Sequence, residues 1–175
     1  MHLLEERGYY VDGLDLSRQM LDIAITTVKE KLFQGNLLNY CLNQQYDAFA
    51  VFNHLQDYEE FEIAILHWYK YLNKDGIFII DLHNGRKSDK KEDTIQNYKR
   101  TTKWTFDEKR FKENTDISYT IDNKVYHDSH EFLIYKIEKI QNILDKHHLK
   151  YELYENYSKN IAGDNSKNIQ IVIKK

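Results

Sequence analysis

The chain has 175 residues, enough for one compact unit with its own core and short for two. Its hydrophobic content of 41%, with 14% aromatics, can build that core, while 30% charged residues supply a solvated surface. A formal net charge of −3 provides no broad basic field, which argues against general nucleic-acid binding, and no apolar run is long enough to span a bilayer.

Cys41 is the single cysteine, so neither an intramolecular disulfide nor a cysteine-built zinc site is available. It is expected as a buried thiol in a reducing, cytoplasmic setting. The opening residues lack the order of regions found in a signal peptide, which agrees with a chain that stays where it is made.

In chain order, Leu3-Leu4-Glu5-Glu6-Arg7 followed by Gly8 reads as the end of a helix with its glycine stop, and residues 9–15 as a strand. Ser17 can cap the next helix, in which Leu21, Ile25 and Val28 recur at helical spacing. Residues 31–34 form a short strand candidate. Tyr46-Asp47-Ala48-Phe49-Ala50-Val51-Phe52 forms a stronger one, apolar enough to be buried on both faces. Phe61, Ile65, Trp68, Tyr69 and Leu72 mark a helix, and Asn73-Lys74-Asp75-Gly76 is a turn that delivers a strand over 77–81.

Residues 86–100 are dense in Lys, Asp and Glu and read as a mobile or solvated connector over one end of the sheet. From 101 to 135, β-branched and aromatic residues alternate with polar ones around a turn at Asp122-Asn123, the pattern of an antiparallel insertion. Ile137, Ile140 and Leu144 carry a further helix, followed by strand candidates at 151–157 and 168–173. Strands alternating with helices predict an α/β fold with a mainly parallel sheet covered on both faces.

Ligands of open α/β sheets sit beyond the carboxyl ends of the strands, which directs attention to Asp15, Asn36, residues 52–54 and residues 81–84. Asp15 closes the second strand of such a sheet, where a bidentate carboxylate can accept both hydroxyls of a ribose. Its competing role is a turn residue that helps Ser17 cap the helix. His127, Asp128 and His130 lie close in sequence, but on a strand neighbouring side chains point to opposite faces, so no metal is expected there. His147-His148 at a helix end suits the negative pole of the helix dipole.

Gly13-Leu14-Asp15-Leu16-Ser17-Arg18-Gln19-Met20-Leu21 resembles the G-x-D-x-S-x-x-M-L segment of small-molecule class I S-adenosylmethionine-dependent methyltransferases. Gln34-Gly35-Asn36-Leu37 is similar to their next segment, Tyr46-Asp47-Ala48-Phe49-Ala50 to their fourth strand, and Leu72-Asn73-Lys74-Asp75-Gly76-Ile77-Phe78 to the turn and fifth strand that follow. The resemblance is fullest over residues 9–82 and comes closest to sugar and amino-sugar methyltransferases.

It implies a Rossmann-like, mainly parallel methyltransferase sheet with an antiparallel insertion, placed at 98–135, and an antiparallel C-terminal strand, all in one unit over 1–175. It further implies that Asp15 binds the ribose of S-adenosylmethionine, that Leu16 and Met20 pack on adenine, and that Asn36, where the family has Asp, reaches the adenine amino group with Leu37 beside it. Met20 is equally readable as a core residue. Phe52 would lie near the methionine part of the cofactor, and His54 and His83 would face the reacting centre as candidate bases for a small polar acceptor.

The family's first strand ends in a glycine-rich loop, and the six glycines of this chain form no such group. The expectation is therefore a sheet lacking its first strand, with the open position between the strand at Tyr9 and the strand at Tyr46. Three explanations fit: a complementing N-terminal segment from a true start upstream of Met1, a second polypeptide that supplies the strand, or a gene that is a remnant; a homodimer is a further expectation. Two other readings remain: a nicotinamide-dependent oxidoreductase, whose ribose also suits an acid at Asp15, and a non-catalytic subunit that pairs through its open edges.

Overall fold

A computed structural model describes every residue except 30, 53, 54, 56, 87, 96 and 97, so the candidate base His54 lies outside the described residues. Helix α1 (His2–Glu5) is followed by Gly8 at a φ of 87°, and the chain then reaches strand β1 (Gly13–Asp15), shorter than the run that predicts it. Ser17 Oγ accepts the amide of Met20 at 3.3 Å and starts helix α2 (Arg18–Ala24). Ile25 sits just past the end of that helix and is exposed, so only Leu21 of the expected stripe is fully buried.

Strand β2 (Leu32–Gln34) runs parallel to β1, with Gly13 opposite Leu32 and Asp15 opposite Gln34. Then come β3 (Tyr46–Phe52), helix α3 (Tyr58–Tyr69) and β4 (Leu72–His83). Asp57 caps α3 by accepting the amide of Glu60 at 2.8 Å. The turn expected at 73–76 is a kink within β4. The pairing jumps there from Tyr46 opposite Leu72 to Ala48 opposite Ile77. Gly76 makes the kink possible, because a Cβ on it would meet the carbonyl oxygens of Asn73 at 2.9 Å and Asp47 at 3.1 Å.

Four antiparallel strands follow: β5 (Asp89–Ile95), β6 (Tyr98–Asp107), β7 (Lys112–Ile121) and β8 (Lys124–Leu133). The stretch expected as a polar connector is thus the first hairpin of a sheet. Cross-strand ion pairs stand in for apolar contacts there, with Lys99 2.9 Å from Glu92 and Arg100 3.0 Å from Asp93, and such a two-sided polar hairpin looks like a loop in sequence. The turn expected at Asp122-Asn123 is present, with φ of 47° and 63°. Helix α4 (Ile137–Lys146) and strands β9 (Lys150–Glu155) and β10 (Asn168–Lys174) complete the chain.

The second sheet has the order β3-β4-β10-β9. β3 and β4 are parallel, and β10 is antiparallel to both of its neighbours. One face of this sheet carries the core. Phe78, Ile80 and Leu82 of β4 and Ile169, Ile171 and Ile173 of β10 are buried with Phe61, Ala64, Ile65 and Trp68 of α3 and Ile140 and Leu144 of α4. The opposite face is open at β3, where Ala48, Ala50 and Phe52 are exposed. The expectation that β3 is buried on both faces fails because, among the described residues, only its α3 side is covered; Val51 alone of the strand is fully buried.

The β1–β2 pair joins this body through α3. Trp68 Nε1 donates to the carbonyl of Leu37 at 2.7 Å, His67 Nε2 lies 2.7 Å from the carbonyl of Tyr40, and Leu14, Leu37 and Leu38 pack on the core. Tyr46 Oη donates to Asp12 Oδ2 at 2.6 Å, linking the segment that enters β1 to the start of β3. The two strands are nevertheless not hydrogen-bonded to each other, so the mainly parallel sheet is divided in two. Cys41 is exposed in the loop between β2 and β3, contrary to the expectation of a buried thiol, because that loop turns its polar side outward. Among the described residues, no helix is long and apolar enough to cross a membrane.

Candidate cofactor and acceptor site

Asp15 ends β1, with its backbone carbonyl taking the amide of Gly35 at 3.0 Å and so fixing the ends of β1 and β2 together. One carboxylate oxygen, Oδ1, accepts the amide of Ser17 at 2.7 Å, which is the turn-forming role weighed for this residue. The other oxygen has no hydrogen-bond partner among the described residues. Leu16 and Met20, on either side of the cap, are 68% and 54% exposed, so Met20 is no core residue. An acceptor oxygen flanked by two uncovered apolar side chains fits a nucleoside, whose sugar needs an acceptor and whose base needs an apolar surface.

Gly35 precedes Asn36 because a Cβ there would strike the Tyr40 ring at 2.2 Å. Asn36 Oδ1 accepts the amide of Leu38 at 2.8 Å, so the amide oxygen expected to meet adenine already organises a turn and offers a ligand only its second lone pair. Leu37 is half-buried beside it, and Phe52, at the end of β3, is 54% exposed.

The end of β4 gathers a second set of groups. Asp81, 1% exposed and opposite Phe52, accepts the phenol of Tyr157 at 2.8 Å and the side-chain amide of Gln170 at 2.5 Å. The hydrogen bond to Asp81 pushes the Tyr157 phenol above its ordinary pKa, with burial adding to the shift. His83, two residues further on the same face of the strand, places Nε2 2.9 Å from Glu113 Oε1 of β7. The ring of Phe132 lies 5.4 Å from that of His83, between centroids. Asn84 is held by the carbonyl of Ser166 at 3.1 Å, while its Oδ1 is buried without a hydrogen-bond partner.

Of the residues that sequence points to, Asp15, Leu16, Met20, Asn36 and Leu37 come together at the ends of β1 and β2, and Phe52 and His83 belong to the neighbouring sheet. Glu113, Tyr157 and Gln170 escape sequence reading. Glu113 does leave a trace: it occupies the buried parity of β7, shared with Thr115, where alternation calls for an apolar side chain. Asp15 stands half-buried at the end of β1. Two hollows, of about 240 and 280 Å³, lie elsewhere, one bounded by α1, Tyr9, Tyr10 and Lys29 and the other by Asp116, His127 and neighbours. Among the described residues no group of three or more potential metal ligands exists; His127 meets Ser118 and His130 meets Asp128.

No family model matches the chain, and no curated protein matches it by sequence. Solved structures do. An S-adenosylmethionine-dependent methyltransferase from Clostridium acetobutylicum superposes with a TM-score of 0.78 at 18% identity, covering 95% of this chain and 75% of its own. A methyltransferase from Streptomyces caelestis gives 0.79 at 12% identity, covering 97% and 76%. An amino pentose methyltransferase from Micromonospora echinaspora, solved with S-adenosylmethionine bound, gives 0.70 at 12% identity, covering 95% and 74%. The chain has the methyltransferase fold. Within it, the antiparallel β10 between β4 and β9 is the expected C-terminal strand, and the sheet from β5 to β8 is the expected insertion, begun earlier in sequence than 98.

Proposed function

We propose that this protein transfers a methyl group from S-adenosylmethionine to a small polar acceptor, a sugar or nucleotide-sugar. The observation that carries this reading is the Asp15 oxygen that has no hydrogen-bond partner among the described residues, beside exposed Leu16 and Met20, on a chain with the methyltransferase fold. That carboxylate holds the ribose, the two apolar side chains face the adenine, and Phe52 faces the methionine part. When bound, the cofactor supplies an electrophilic methyl group on a positively charged sulfur.

Methyl transfer is an in-line displacement, so most of the protein's contribution is to hold acceptor and methyl carbon in line and to exclude water. The antiparallel sheet, joined to the end of β4 through Glu113 and His83, is the acceptor side of the site. Support for a sugar comes from the neighbours, among them the amino pentose enzyme and a sugar N-methyltransferase from Streptoalloteichus. The unpaired edges of β1 and β3 would take one further parallel strand, from a complementing segment or a second copy in a homodimer.

Titration calorimetry with S-adenosylhomocysteine tests the reading. Stoichiometric binding is expected. Binding of a nicotinamide dinucleotide with none of S-adenosylhomocysteine would replace methyl transfer with hydride chemistry.

A further inference from the structure

Glu113 is an acidic residue only 1% exposed, at a buried position of β7. Its Oε1 lies 2.9 Å from His83 Nε2, the ring of Phe132 flanks the imidazole, and the backbone at Gly85 comes so close that a Cβ would stand 2.9 Å from His83 Cε1 and 3.0 Å from Nε2. The same Cβ would be 3.5 Å from Glu113 Oε2. Three elements, the end of β4, the turn after it and β7, therefore close around one histidine. A side chain merely packed at a sheet junction needs neither a buried acid nor a glycine opposite it.

From this enclosure we infer that Glu113 is the positioning residue that fixes His83 as a base. A carboxylate only accepts, so Nε2 carries the proton it donates and, in the neutral ring, Nδ1 holds the lone pair. Nδ1 has no hydrogen-bond partner among the described residues, and the side chain keeps 32% of its surface exposed. Held this way, the imidazole turns a single defined acceptor outward from the end of β4. The arrangement follows the logic of a hydrolase triad, with the two ring nitrogens exchanged.

This inference rests on the methyl-transfer reading for its reaction. The acceptor's oxygen or nitrogen bonds to the methyl carbon as the carbon–sulfur bond breaks, S-adenosylhomocysteine is released, and the acceptor's proton passes to His83 Nδ1. Glu113 stabilises the imidazolium and returns the ring to the same tautomer once that proton leaves to water.

The test uses the full chain labelled with ¹⁵N-histidine, without acceptor. Long-range proton–nitrogen correlation should show His83 as the Nε2–H tautomer, and diethyl pyrocarbonate should modify it readily, read by peptide mass. Glu113→Met should shift the tautomer ratio and slow modification by at least about tenfold, the effect of losing a hydrogen bond to a charged group. Glu113→Gln, which keeps an acceptor oxygen, should recover part of both. Gly85→Ala, whose Cβ would crowd the His83 ring and reach Glu113 Oε2 at ordinary contact distance, should disturb both in the same direction while leaving the Glu113 carboxylate in place. An Nδ1–H tautomer in the unaltered protein, an unreactive His83, or a Glu113→Met protein indistinguishable from it would overturn the assignment. S-adenosylhomocysteine calorimetry on the same samples reports separately on the methyl-transfer reading, since the tautomer and modification readouts need no cofactor.

Discussion

Tyr46 Oη hydrogen-bonds to Asp12 Oδ2 at 2.6 Å, tying the first residue of β3 to the segment that enters β1. Burial and this contact push the phenol up to about 12. A phenol whose folded value is raised stabilises the protein fully below its unfolded value, near 10, and that contribution is lost as pH climbs through the folded value. The urea midpoint should therefore hold steady to about pH 9 and fall above about 10. Tyr46→Phe should flatten that fall and speed amide exchange at Gly13–Asp15 more than at Phe78 or Ile80. Equal acceleration in both places would mean the contact does not tether the β1–β2 pair.

Asp81 is buried and carries the phenol of Tyr157 and the amide of Gln170 as hydrogen-bond donors. Tyr157→Phe removes one donor and leaves a buried oxygen short, at a cost of ~1–3 kcal/mol in chemical denaturation. Asp81→Asn should partly rescue the Tyr157→Phe protein, because a neutral amide is cheaper to leave under-bonded than a carboxylate.

At Asp15 the expected phenotype is in binding. Asp15→Ala removes the proposed acceptor for the ribose hydroxyls and should weaken S-adenosylhomocysteine by roughly 10–100-fold, equivalent to ~1.4–2.7 kcal/mol. Loss of the turn bond to Ser17 should also loosen the start of α2, visible as faster exchange at Arg18 to Met20. Unchanged affinity would leave Asp15 with its turn role alone.

Asp122 and Asn123 both sit in the left-handed region that a tight β7–β8 turn requires. Asn123→Gly relieves the strain and should raise the thermal midpoint, whereas Asn123→Val should cost ~1–2 kcal/mol. Because the turn lies away from Asp15 and His83, cofactor binding should be unaffected in both.

The readable parts of the fold were those with local signals. The Ser17 cap, the glycine after α1, the Asp122-Asn123 turn and the helical spacing of Ile137, Ile140 and Leu144 each depend on a few neighbouring residues. The first hairpin of the antiparallel sheet was hidden because Glu92 and Asp93 are held by Lys99 and Arg100 across the strands, pairings that sequence order does not display. The exposure of β3 was hidden for the opposite reason: its apolar residues suit a covered strand, but cover is a property of the surroundings. At the site, strand-end position was enough to single out Asp15 and His83. Glu113 lies thirty positions beyond His83 and meets it only once the chain between them is folded, so no local pattern joins them.

The contrast between strand borders has a practical side. β5 and β8 end their sheet with rows of lysines, acids and histidines, a composition that discourages stray chains from docking. β3 ends its own with Ala48, Ala50 and Phe52 turned to solvent and only Asp47 as a guard. In concentrated samples, clumping will begin along β3, and a lysine placed at Ala48 or Ala50 should suppress it, as light scattering would report.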